Sequence, residues 1–115
     1  MPHFIIEFSK DLDKELDMKK ILQICLDAAA DSQLLDMKTV EARAFEVAYG
    51  LNVSGEASFL HVKITLFPGR DEAQLATLSK NMYKRIATFV EQSAAQVANI
   101  STQVREIDPK FCFHN

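Results

Sequence analysis

Pro2 offers a group that no internal residue can supply. If Met1 is excised, which a small second residue such as proline permits, the Pro2 nitrogen becomes a free secondary amine; while Met1 stays, that nitrogen is a non-basic amide. A neutral amine poised near its pKa can take a proton from one atom and return it to another. Such a base is best accompanied by cations, which disfavour its ammonium form. Arginine is the strongest choice, because it stays charged and grips a carboxylate through a planar fork. Arg70 and Arg43 are the candidates. A Met-Pro start is a weak signal by itself, and a lone surface arginine is most often a solvated residue. The assignment therefore depends on whether the chain's elements bring the three together.

The pattern predicts two similar units. Phe4, Ile6 and Phe8 alternate with His3, Ile5 and Glu7, as in a strand with one buried face. Asp17 is placed to cap a helix in which Met18, Ile21, Leu22, Cys25, Leu26 and Ala29 recur at three- and four-residue spacing. A less regular strand over 39–49 ends at the turn signal Gly50-Leu51-Asn52, and it puts Glu41 and Arg43 on one face. The second unit has a strand over 58–67, with Leu60, Val62, Ile64 and Leu66 opposite His61, Lys63 and Thr65, and ends at Pro68-Gly69. Asp71 with Gln74 fits a capping box for a long amphipathic helix through about residue 95, and 100–107 reads as a last strand. The expected fold class is α+β: two βαβ units forming a four-stranded sheet with two helices on one face. Such an arrangement leaves the other face open, and an open apolar face predicts a homo-oligomer. Phe111 and Phe113, alternating with Cys112, suggest a short terminal strand or arm that seeks a subunit contact.

Composition narrows the function classes. A chain of 115 residues with 48% hydrophobic content suits a single domain over 1–115. A net charge of −3, with 13 basic and 16 acidic residues interspersed, offers neither a basic stripe for nucleic acid nor a polybasic membrane patch. No apolar run is long enough for a membrane span, and the acidic stretch Asp11 to Glu15 argues against a signal peptide. Cys25 and Cys112 match no metal or redox spacing, so free thiols in a reducing, cytoplasmic setting are expected. No phosphate loop, paired histidine ligands or Ser-His-Asp order supports a competing enzyme class. His61 is expected to be a structural or interface residue and not a base; His3, His114 and Phe113 are expected at interfaces, and Tyr49 could close a pocket.

The order and spacing of Met1-Pro2-His3-Phe4-Ile5 with Glu7, Phe59-Leu60-His61 leading to Gly69-Arg70, and Val104-x-Glu106-Ile107-x-Pro109 with Phe113 carry a resemblance over nearly the whole chain. In these respects it resembles the 5-carboxymethyl-2-hydroxymuconate isomerase family of the tautomerase superfamily. The resemblance implies a trimer of βαβ-βαβ subunits, a processed Pro2 that moves a proton, Arg70 as a substrate-binding residue, and a small carboxylated dienol as substrate; Arg43 is the candidate for the second substrate-binding arginine from its residue type and strand face. It implies no cofactor and no metal. One departure stands out: read without gaps, the family's second active-site arginine falls on Glu41, with Arg43 two residues further along the same strand face, about 7 Å away. Glu41 would repel a carboxylate, which implies a substrate with fewer or differently placed carboxylates than the family's namesake. The competing expectations are a non-catalytic oligomeric binding module for an organic acid, and a purely structural oligomer for which Arg70 is silent.

Overall fold

The computed structural model describes residues 1–55 and 57–115. Its elements, in chain order, are β1 (His3–Ser9), α1 (Met18–Ser32), β2 (Glu41–Val47), β3 (Phe59–Leu66), α2 (Glu72–Glu91) and β4 (Asn99–Glu106), with 3-10 turns at Leu12–Lys14, Met37–Thr39 and Pro109–Phe111. The sheet order is β2-β1-β3-β4. Strand β1 runs parallel to β2 and antiparallel to β3, and β3 runs parallel to β4. Each helix is the crossover of one βαβ unit, and the two units join along β1 and β3. The expected α+β architecture is the one observed.

Alternation in the strands decides where the core lies. Phe4, Ile6 and Phe8 of β1 and Leu60, Val62, Ile64 and Leu66 of β3 turn to the helices and are buried. They meet Ile21, Cys25, Ala28 and Ala29 of α1 and Leu78, Met82, Ile86 and Val90 of α2. The edge strands contribute smaller or partly buried residues, Ala42 and Ala44 on β2 and Ile100 and Val104 on β4. Helix starts follow the capping chemistry written in the sequence. Asp17 accepts from the N–H groups of Lys19 and Lys20, and Asp71 and Gln74 form a reciprocal capping box.

The buried thiol of Cys25 has a measurable consequence. Burial pushes its pKa up from 9.0 to about 12. The folded protein therefore holds a proton that the unfolded chain releases above about pH 9, so this contribution to stability is present below that pH and is lost as pH rises through the interval. The slope is about 1.4 kcal/mol per pH unit. Denaturation of wild type and Cys25→Ala, compared from pH 8 to 11, is expected to show the wild type losing stability relative to the variant. Parallel curves would remove Cys25 as the cause.

Three expectations need correction. Helix α2 ends at Glu91 instead of near residue 95, because the Ser93 hydroxyl takes the Val90 carbonyl at 2.6 Å and so competes with a further helical turn. The C-terminal tail is not a strand: Asp108 accepts from the Lys110 N–H and caps a short turn begun by Pro109, which has no N–H to give a ladder. Phe111 and Phe113 are left exposed. Nor is the open sheet face apolar. Its rows, read across β2-β1-β3-β4, are Glu41-His3-Thr65-Arg105, then Arg43-Ile5-Lys63-Gln103, then Phe45-Glu7-His61-Ser101. Hydrophobic demand from that face alone gives no reason for assembly.

Candidate active site

Pro2 immediately precedes β1 and is buried. Its carbonyl accepts from the Glu41 N–H at 3.1 Å, which ties the start of β1 to the start of β2. On the other side, antiparallel pairing sets His3 opposite Thr65, so the chain leaves β3 at this same end through Phe67, Pro68, Gly69 and Arg70. Gly69 has φ +136, a conformation in which a Cβ would be strained, and the turn it permits sets the direction of Arg70. The topology thus brings Pro2, Arg70 and the Glu41-Arg43 pair to one end of the sheet. Tyr49 follows the opposite end of β2 and is 94% exposed, far from Pro2 within this chain.

Arg70 is held by main-chain carbonyls. Its Nε and Nη2 donate to the Leu34 carbonyl at 3.1 and 2.8 Å, and Nη1 donates to the Phe67 carbonyl at 3.1 Å. The Leu34 carbonyl is available because Gln33 leaves α1 in the left-handed region, with φ 58, and the Ser32 hydroxyl takes the Leu34 N–H. A guanidinium has five N–H donors, and this arrangement uses three. Two remain on a side chain already fixed in place, so little conformational entropy would be left to lose if they bound an oxyanion.

The second arginine sits differently. Arg43 Nη2 lies 3.1 Å from His3 Nδ1, and its Nη1 lies 3.9 Å from Glu41 Oε2. A guanidinium only donates, so His3 Nδ1 accepts, and the imidazole proton of the neutral ring is on Nε2. Partial burial, then the N-terminal amino group and Arg43, lower the His3 pKa, with Glu41 opposing them. The 3.7 Å approach of His3 Nδ1 to Glu41 Oε2 is therefore a contact with a neutral ring and not an ion pair. Glu41 and Arg43 leave the cluster with no net charge.

The pairing of Arg43 with His3 and the two carbonyls that seat Arg70 could not be read from residue spacing. Both require the strand register and the path of the chain after α1. The parallel pairing of β1 with β2 is the signal that sets His3 opposite Glu41. His61 Nδ1 lies 2.6 Å from the Ser101 hydroxyl oxygen on the open face. None of four surface depressions is lined by Pro2, Arg43 or Arg70; the largest of the four, a groove of about 480 Å³ between α1 and α2 that contains Asp31 and Arg85, reaches Leu34 and Asp71 beside Arg70.

Known structures reproduce this fold. A 5-carboxymethyl-2-hydroxymuconate isomerase from Deinococcus radiodurans R1 superposes with a TM-score of 0.84 at 16% identity, over 99% of this chain and 88% of that one. A 5-carboxymethyl-2-hydroxymuconate delta-isomerase gives 0.77 at 16% identity, over 100% and 87%. A fused 4-OT described as a symmetric trimer gives 0.74 at 19% identity, over 93% and 86%. At these identities the likeness establishes the fold. No curated protein sequence matches. The sequence model of the 5-carboxymethyl-2-hydroxymuconate isomerases matches residues 2–115, and with that match the chain belongs to the 5-carboxymethyl-2-hydroxymuconate isomerase family.

Proposed function

We propose that this chain is a tautomerase that ketonises a carboxylated 2-hydroxydienoate, such as 5-carboxymethyl-2-hydroxymuconate, in the breakdown of aromatic compounds. The observation that carries the reading is the convergence of Pro2 with a pre-seated, half-free Arg70 at one end of the sheet. In the proposed reaction the neutral Pro2 amine of the processed chain removes the C2 hydroxyl proton, C2–O becomes a carbonyl, and the resulting ammonium returns the proton to a diene carbon. Arg70 holds the C1 carboxylate and stabilises the charge that builds on the neighbouring oxygen. Arg43 approaches the substrate's other end. Atoms and charge balance without an oxidant, a metal or a cofactor, so the reaction asks for none.

Assembly belongs to the same reading. None of the four depressions of a single chain is lined by Pro2, and a proton-transfer site works best when it is enclosed and water is excluded. The exposed Phe111 and Phe113 of the tail and Tyr49, Leu51 and Val53 beyond β2 are apolar groups available to cover a neighbour. A homotrimer, as in the fused 4-OT relative, is the proposed assembly. Among the described residues no helix is long and apolar enough to cross a membrane, and a cytoplasmic location is proposed with it.

A second reading is a non-catalytic binder of organic acids. It is favoured by the Glu41-Arg43 pairing, which gives little electrostatic help to a base. The two separate in one experiment: ultraviolet-monitored ketonisation of 2-hydroxymuconate and its 5-carboxymethyl analogue, by protein whose intact mass shows that it begins at Pro2. Loss of the dienol band faster than in Pro2→Ala supports the tautomerase. Saturable binding with no excess rate on either compound supports the binder.

A further inference from the structure

We infer that Glu41, set between Pro2 and Arg43, is a specificity-determining residue that selects substrates whose end remote from Arg70 is uncharged and able both to donate and to accept a hydrogen bond. This rests on the proposed reading of the Pro2 end as the reaction site.

Position comes first. The Glu41 N–H bonds the Pro2 carbonyl, so Glu41 is the residue alongside Pro2 on the adjacent strand. Its side chain is 65% exposed on the open face. Among the described residues no donor lies within hydrogen-bond distance of its carboxylate; the nearest cationic or potentially cationic nitrogens are those of His3 at 3.7 Å and Arg43 at 3.9 Å. Glu41 therefore keeps its acceptor capacity for a ligand. Arg43, 46% exposed, gives one N–H to His3 and keeps others to donate.

The pair presents an acceptor beside a donor. A hydroxyl or a primary amide satisfies both at once. A carboxylate satisfies Arg43 but meets Glu41 with no proton to give, and like-charge juxtaposition is a common way of rejecting a near-analogue. Other charges on this face do not rescue it. Neutral His3 adds no cation. Arg105 lies three strands from Glu41, about 14 Å at ordinary strand spacing, and Lys63 lies two strands away and in the next row, at least about 10 Å. These are backbone spacings; of the side-chain nitrogens themselves, only those of His3 and Arg43 come within 4.0 Å of the Glu41 carboxylate among the described residues.

The test uses three unreactive dienes of one length that differ only at the remote end: sorbate, trans,trans-muconate and the monoamide of muconate. Calorimetric titration into protein beginning at Pro2 is expected to rank monoamide above sorbate above muconate, with sorbate preferred to muconate by about tenfold or more. Glu41→Gln is expected to raise muconate affinity relative to sorbate by about tenfold. Wild type that prefers muconate, or a sorbate-to-muconate ratio unmoved by Glu41→Gln, overturns the inference. Failure to bind any of the three overturns it as well. Because these compounds cannot be ketonised, the correct ranking in a protein that leaves the 2-hydroxy derivative of sorbate, whose remote end is uncharged, unchanged would sink the tautomerase reading while the role of Glu41 stands.

Discussion

Protein that begins at Pro2 is expected to ketonise a 2-hydroxydienoate about 10²–10⁴-fold faster than the same chain with Met1 retained, the range that a well-placed general acid-base group contributes. The cause is a single bond. In the Met1 form the Pro2 nitrogen is an amide whose lone pair is delocalised into the carbonyl, and Met1 instead places its own amino group 3.5 Å from the Thr39 carbonyl. Met1 is not among the buried core residues and makes no hydrogen bond to Arg70, so a difference in rate between two folded forms reports the amine and not the fold. Pro2→Ala, once processed, keeps an amine but loses the ring, and is expected to fall between them. Intact mass fixes which form is assayed, and circular dichroism verifies that both are folded. Equal rates in the two forms would remove Pro2 from the mechanism, and equal rates no faster than the uncatalysed reaction would leave the binder as the better account.

The fold was largely legible because its signals are periodic and local. Phe4, Ile6 and Phe8 declare a strand face, and the Asp71-Gln74 box declares a helix start, before any tertiary contact is known. Less legible were features that depend on competition between local groups. Ser93 ends α2 by offering the Val90 carbonyl a hydroxyl, and Asp108 turns the tail that alternation of Phe111 and Phe113 had suggested was extended. The candidate site divides in the same way. Residue types alone nominated Pro2, Arg70 and Arg43, but the Leu34 partner of Arg70 and the His3 partner of Arg43 come from chain crossings 36 and 40 residues apart. Sequence spacing carries no information about a Leu34 carbonyl turned toward Arg70 or a His3 ring that takes an Arg43 donor. The open face shows a third kind of limit. Period two identifies which residues leave the core but not whether their neighbours across the sheet make that face hydrophobic, and here Glu41, Arg43, Lys63 and Arg105 make it charged.

Arg70→Ala is expected to lower kcat/KM for a carboxylated dienol by about 2–5 kcal/mol in transition-state stabilisation, or roughly 30-fold to several thousand-fold, the usual cost of deleting one partner of a hydrogen-bonded charge pair. The difficulty is that Arg70 would then have two roles. Its three carbonyl bonds join the end of α1 to the turn before α2, and their loss leaves the Leu34 and Phe67 oxygens unpaired at a cost of about 1–3 kcal/mol in stability if water does not replace the donor. A lower rate could then come from a displaced turn. Charge on the substrate separates the two causes. If Arg70 grips the C1 carboxylate, wild type should lose much of its advantage over Arg70→Ala when that carboxylate is replaced by its methyl ester, and the loss on the acid should appear mainly in KM if the fork holds ground and transition states alike. Arg70→Lys should recover part of the rate on the acid, since it keeps the charge but cannot span both carbonyls and a bidentate ligand. If Arg70 is only a clamp, the variant will be impaired equally on acid and ester, in proportion to its lowered Tm, and the substrate's carboxylate must be held by another residue.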